Sequence, residues 1–200
     1  MTGLPGEGGP GPAEATGAAG PAGRDEAAVP RRLVVLRHAK SARPEGVPDR
    51  DRPLAARGER DAPAAGRALA AAVGPPGLVL CSTAVRARRT WELAAAEWDA
   101  PPPVRYESRL YAAGVPGLLA VVREVPAEVG TLLLVGHNPG LADLVLALAG
   151  DGADDLLDRV RAKFPTSAVA VLAWHGTAWS DLAPGTALLT SVTVPRGPAR

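Results

Sequence analysis

Short runs of branched apolar residues alternate with helical segments over residues 33–150. That alternation restricts the possible folds more than any other feature of the chain. The runs 33–36, 78–81 and 131–135 each read as a buried strand. Residues 55–73 are rich in alanine and favour helix. Pro63 lacks an amide donor, so this helix is expected to start near Pro63 or to kink there. Gly74-Pro75-Pro76-Gly77 ends it. Further helices are expected from the segment after Ser82 to about Trp98, over 117–125, over 141–148 and, in part, over 156–163. Val104 to Tyr106 reads as a short strand. Beyond residue 165 the pattern changes to strands at 167–174, 178–182 and 187–194, joined by turns at His175-Gly176-Thr177 and Pro184-Gly185. Alternating strands and helices predict an α/β fold, a mainly parallel central sheet with helices on both faces. The C-terminal strands are expected to add to it antiparallel.

The chain has 200 residues, which suits one core and one folded domain, placed at 31–200. Residues 1–30 are rich in glycine and proline and nearly empty of large apolar side chains. Such a segment cannot offset its ordering entropy, so it reads as a disordered tail. Net charge is +1, and basic residues are spread along the chain, so neither a nucleic acid nor a membrane surface is an expected partner. The single cysteine, Cys81, excludes an intrachain disulfide. With no apolar run of membrane length and no signal-type segment at residues 1–30, a cytoplasmic location is the expectation.

Three of the apolar strands run into cationic or imidazole groups. The first ends in Arg37-His38, the second leads to Arg86, and the third ends at His137. Parallel strands share one polarity, so these groups are expected to meet at one edge, where α/β sheets bind ligands. Two guanidiniums and two imidazoles make a pocket for a dianion, because the arginine fork matches phosphate oxygens. Helix N-termini after Ser82 and Asn138 would add amide donors. His38, kept neutral by the flanking arginines, can attack phosphorus and carry it as phosphohistidine until water removes it. Arg37, Arg86 and His137 would stabilise the charge on the equatorial oxygens. Arg88 and Arg89 compete with Arg86 for its role, and Arg86 is preferred as the nearest to the strand end. A metal site is not expected: there are three histidines, and His175 falls in a turn away from the other two. No cofactor-binding glycine motif or nucleophile elbow is present.

Arg37-His38-Ala39-Lys40-Ser41 resembles the signature of the histidine phosphatase superfamily, whose fold is phosphoglycerate mutase-like. Alanine at the third place, with lysine and serine after it, is similar to the small SixA-like phosphohistidine phosphatases. Further matches follow in order. Asp51-Arg52-Pro53-Leu54 with Gly58 resembles the segment before the first helix. Cys81-Ser82 with Arg86-Ala87 and Thr90 resembles the second arginine motif. Leu133 to Pro139 resembles the second histidine motif, and Phe164-Pro165-Thr166-Ser167 with Val194-Pro195-Arg196 the C-terminal part.

The resemblance implies a three-layer α/β/α sandwich and a hydrolase that needs no metal or organic cofactor. It makes His38 the phosphorylated nucleophile and Arg37, Arg86 and His137 phosphate ligands, with Arg52 as a further contact at the rim. One departure bears on substrate. Where larger relatives carry a glutamate as general acid, Arg109-Leu110-Tyr111-Ala112 places alanine, although Glu107 is near. An alkoxide leaves poorly without a proton, whereas imidazole needs less help, so the expected partner is a protein bearing phosphohistidine. The alternatives are a small phosphorylated substrate, turned over by a phosphomonoesterase or mutase-like enzyme, and a phosphate- or phosphoprotein-binding module that retains the pocket without turnover.

Overall fold

The computed structural model describes residues 1–3, 30–152 and 154–198. The tail expected at 1–30 therefore lies almost wholly outside the described residues. Strand β1 spans Arg31–Arg37, helix α1 Ala56–Val73, β2 Leu78–Ser82 and α2 Val85–Ala95. They are followed by β3 (Val104–Glu107), α3 (Val115–Arg123), β4 (Thr131–Gly136) and α4 (Gly140–Leu148). The chain continues through β5 (Ala149–Gly152), α5 (Asp154–Ala162), β6 (Val169–Trp174) and β7 (Ala187–Thr193). The strands form one seven-stranded sheet in the order β3-β2-β4-β1-β6-β7-β5. β3, β2, β4 and β1 are mutually parallel. β6 runs antiparallel to β1, and β7 antiparallel to β6.

Side chains alternate across each strand, so the sheet builds two cores. On one face Val34, Leu36, Val79 and Cys81 pack against Ala65 and Leu69 of α1 and Trp91 of α2. On the other, Leu33, Val35, Leu132 and Leu134 pack against Leu118 of α3, Leu144 of α4 and Val160 of α5. Both faces are covered, which is why the central strands are unbroken apolar runs. This is the expected three-layer α/β/α sandwich.

Helix α1 runs unbroken from Ala56 through Pro63. It does not begin at the proline, and close packing anchors it on both sides of Pro63. A Cβ on Gly58 would lie 2.2 Å from the Lys40 carbonyl oxygen, and one on Gly66 would lie 2.4 Å from that of Ala94. The bare backbone at these two places lets α1 lie against the segment that follows His38 and against α2.

Two C-terminal expectations need correction. Residues 178–182 are not a strand: Trp179–Asp181 form a short 3₁₀ turn. The Trp179 indole is fully buried and donates to the Val129 carbonyl at 2.7 Å, which pulls this segment under the sheet. Consequently β6 pairs directly with β7 through a long connection, not through a tight hairpin at His175. Trp174 and Trp179 do pack together, with ring centroids 6.0 Å apart. β5 was not foreseen. It is a four-residue edge strand, Ala-Gly-Asp-Gly, whose composition disfavours sheet and which is held by parallel pairing with β7.

Candidate active site

Register in the parallel part of the sheet assembles the site. Arg37 at the end of β1 lies opposite Gly136 at the end of β4, and the His38 amide donates to the Gly136 carbonyl at 3.0 Å. His38 and His137 thus follow neighbouring strands at the same level, with ring centroids 5.0 Å apart. Cys81 of β2 pairs with Val135, which sets Ser82 beside His137. The Ser82 hydroxyl and His137 Nε2 are 2.8 Å apart. Helix α2 then starts at Val85 and brings Arg86 in its first turn to the Nε2 edge of the His38 ring. Thr90, one turn later, donates to the Arg86 carbonyl at 2.6 Å and accepts from the Ala39 amide at 3.0 Å. That buried hydroxyl ties α2 to the segment after the nucleophile candidate.

His38 is 7% exposed. Its Nδ1 lies 2.7 Å from the Ala39 carbonyl oxygen, which can only accept, so the proton sits on Nδ1. Nε2 then carries the ring's unprotonated lone pair, which accepts from the Arg86 Nε–H at 3.3 Å. Arg37 donates through Nη1 to the Phe164 carbonyl at 2.7 Å, while its Nε is buried without a protein partner. Asn138 also donates to the Phe164 carbonyl, at 2.8 Å, so the 164–168 segment braces two walls. A buried donor left open in a cationic cleft matches an oxyanion.

The cleft has a volume of about 280 Å³. Arg37, His38, Arg52 and Arg86 line it, together with Lys40, Arg43, Asp49 and Asn138. His137 lies beside His38 and does not itself line the cleft. Its Nδ1 is buried and unpaired, and the Tyr111 ring meets it edge-on at 5.4 Å. His175 follows β6, whose end pairs with Arg31 at the far edge of the sheet, away from all of this. Of the competing arginines, Arg89 forms an exposed pair with Glu59, and Arg88 lies over the Tyr106 ring. Both face the groove of about 350 Å³ between α1 and α2, which carries no nucleophile candidate.

Two contributors escaped the sequence reading. Asp49, on the loop between β1 and α1, accepts from Arg52 Nη1 at 2.7 Å and from Arg86 Nη2 at 2.9 Å. Tyr111 donates to the same carboxylate at 2.8 Å. The available signals were weak: an acid beside Arg52 in a proline-punctuated loop, and an aromatic beside Ala112. Glu107, the other acid considered, does not line the cleft. It is tied to Arg109 at 2.7 Å, and hydrogen bonds from Arg109 hold its carboxyl down at about 2. Asp49 is held well below the usual carboxylate range by its hydrogen bonds from Tyr111 and Arg52, with Arg86 adding to them. Among the described residues, no group of three or more His, Cys, Asp or Glu is placed to hold a metal ion. None of their helices is long and apolar enough to cross a membrane.

Burial lowers His38 to about 3, and the charges of His137, Arg86 and Arg37 add to it against the Ala39 hydrogen bond. The expectation that arginines keep His38 neutral has the right direction, but burial is the larger cause. His137 is lowered to about 4, by burial first and then by Arg86. In the unfolded chain both rings titrate near 6.5. As pH falls through that value the unfolded state takes up about two protons that the native state refuses. Stability is therefore fully present above about pH 6.5 and declines as pH drops toward 3–4. Urea unfolding between about pH 7 and 5 should show this decline. The His38 and His137 Cε1–H resonances should stay unmoved over the same range, and a His38 midpoint near 6.5 would contradict the assignment.

Residues 33–112 match the sequence profile of the histidine phosphatase superfamily (branch 1). An uncharacterized protein of Mycobacterium tuberculosis is 46% identical over 163 residues, covering 80% of this chain and 100% of the relative. A solved structure from Nakamurella multipartitia, named as a candidate phosphohistidine phosphatase SixA, is 37% identical with a TM-score of 0.73. That match covers 82% of this chain and 96% of the other. A similarly named structure from Agrobacterium tumefaciens is 33% identical with a TM-score of 0.65, covering 72% of this chain and 92% of the other.

Proposed function

The chain belongs to the histidine phosphatase superfamily, in its SixA-like branch, and is a phosphatase; from that premise we propose that its substrate is phosphohistidine borne on a protein. In this reading His38 Nε2 attacks phosphorus, and Arg37 and Arg86 hold the equatorial oxygens. Arg52 contributes from the rim. His137 reaches the phosphoryl group through Nδ1, the nitrogen left open by its contact with Ser82. Water then attacks the phosphorus held on His38, the Nε2–P bond breaks with its electron pair returning to the ring, and phosphate leaves.

The observation that carries the choice of substrate is the protonation of the acids. Glu107 is bound to Arg109 outside the cleft, and Asp49 is kept ionised by two guanidiniums and a phenol. Neither holds a proton to give an alkoxide at neutral pH. General-acid help is worth about 10²–10⁴-fold, so alkyl phosphates lose that factor while imidazole, a better leaving group, does not. The names of the Nakamurella and Agrobacterium relatives point the same way.

The test is a pair of peptides of one sequence, one phosphorylated on histidine and one on serine, followed by phosphate release. The phosphohistidine peptide is expected to have the higher kcat/KM by about 10²-fold. Equal turnover, or preference for the serine ester, would replace this reading with that of a phosphomonoesterase.

A further inference from the structure

Asp49 is an anion in a wall of cations, and a phosphoryl dianion should be repelled by it. Among the residues lining the cleft it is the one acid, so its place there calls for a function that offsets the repulsion. Its position suggests which. Arg86 presents Nε to His38 Nε2 at 3.3 Å and Nη2 to Asp49 Oδ2 at 2.9 Å. Nη1 also donates to the Asp49 carbonyl, so Asp49 takes the terminal edge of the guanidinium while His38 faces Nε, which sets the exposed carboxylate at the mouth of the cleft. Its side chain is 54% exposed, whereas that of Arg86 is 7% exposed, so part of the carboxylate remains open to an incoming group. In an in-line displacement the leaving group departs on the side opposite His38, toward that mouth.

We infer that Asp49 is a specificity-determining residue: its carboxylate receives the ring N–H of a positively charged leaving group, the imidazolium of a protonated phosphohistidine. This deepens the substrate reading above and rests on it. The bonds balance without a proton on Asp49. The substrate ring is protonated on the nitrogen not bonded to phosphorus. The His38 Nε2 lone pair forms the new N–P bond while the substrate P–N bond breaks. The electron pair goes to the departing nitrogen, so neutral imidazole leaves with its proton, and the positive charge passes to the His38 ring. Water then forms the O–P bond, the Nε2–P pair returns to His38, and dihydrogen phosphate is released.

Asp49 thus favours binding of the protonated form, whose leaving group is the better one. It disfavours esters, whose leaving oxygen gathers negative charge beside it. The guanidiniums of Arg52 and Arg86 and the Tyr111 hydroxyl fix the carboxylate without neutralising it by proton transfer.

The experiment compares Asp49→Asn with the full-length wild type on N-phosphoimidazole and on p-nitrophenyl phosphate. The ratio of kcat/KM for the nitrogen substrate to that for the aryl ester is expected to fall about tenfold, the worth of one charge-assisted hydrogen bond, chiefly through KM. Asp49→Glu, which keeps the charge, should restore most of the ratio. A ratio unchanged in Asp49→Asn, with both substrates slowed in parallel, would overturn the inference and leave Asp49 as a brace for Arg86. So would failure of Asp49→Glu to restore it. These small substrates report on leaving-group charge alone, so the inference stands or falls separately from the peptide comparison that tests protein-borne phosphohistidine.

Discussion

His38→Ala is expected to abolish turnover of nitrogen and oxygen phosphates alike, by roughly 10⁴-fold or more, the scale of losing a covalent nucleophile. The expectation follows from what surrounds the ring. The Ala39 carbonyl fixes the proton on Nδ1 at 2.7 Å, so the unprotonated nitrogen is Nε2, and its electron pair faces the cationic cleft, accepting from Arg86 Nε at 3.3 Å. Burial keeps that pair unprotonated far below neutral pH. None of the other groups lining the cleft is an imidazole: the rest of its basic side chains are arginines and one lysine. Phosphate should still bind, because Arg37, Arg52 and Arg86 remain. Two readouts check this together. Steady-state phosphate release should disappear, and rapid quench of the wild type should trap an acid-labile phosphoryl group that maps to His38 and is missing in the variant. Unchanged circular dichroism shows that the variant folds. Turnover within tenfold of wild type would remove His38 from the nucleophile's role.

Much of this site was legible before the fold because parallel strands carry their polarity in the sequence. An apolar run ending in Arg37-His38, another ending before Arg86 and a third ending at His137 must deliver their groups to one edge if the sheet is parallel. The register of β1 against β4, Arg37 beside Gly136, then sets the two imidazoles side by side. What stayed hidden came from irregular backbone. Asp49 and Tyr111 lie 62 residues apart, in one short 3₁₀ turn and just after another, and their 2.8 Å contact has no periodic signal. The same holds for Trp179, whose alternating neighbours resemble a strand until a hydrogen bond to Val129 turns the segment aside. A start of α1 at Pro63 fails for a related reason. The cost of Pro63 inside α1 is local, whereas the close approaches of Gly58 to Lys40 and of Gly66 to Ala94 are tertiary. The position at which a general acid was sought is the clearest case. The stretch around Ala112 holds none, and the carboxylate that meets Tyr111 there arrives from the loop before α1 and is ionised.

Arg86→Ala is expected to lower kcat/KM by about 10³-fold, the scale of removing one donor that meets charge developing in the transition state. Arg86→Lys should recover only a small part of it. The reason is the number of directions in which the guanidinium works at once. Nε–H faces His38 Nε2, Nη1 donates to the Asp49 carbonyl, and Nη2 donates to the Asp49 carboxylate at 2.9 Å. A lysine ammonium is a point charge on a flexible stem and cannot hold that fork, so charge alone will not restore the geometry. The loss should fall on kcat as well as KM, because in the proposed mechanism the group holds phosphate and it also fixes the loop that carries Asp49 and Arg52. Arg89→Ala is the matched control on the same helix: its guanidinium is 45% exposed and pairs with Glu59 outside the cleft, so its removal should change kcat/KM by less than about twofold. Comparable losses in the two variants would mean that helix α2 contributes a diffuse positive field. A loss confined to Arg86 would mean that the first turn of α2, set by the Thr90 link to Ala39, aims a single guanidinium at the phosphoryl group.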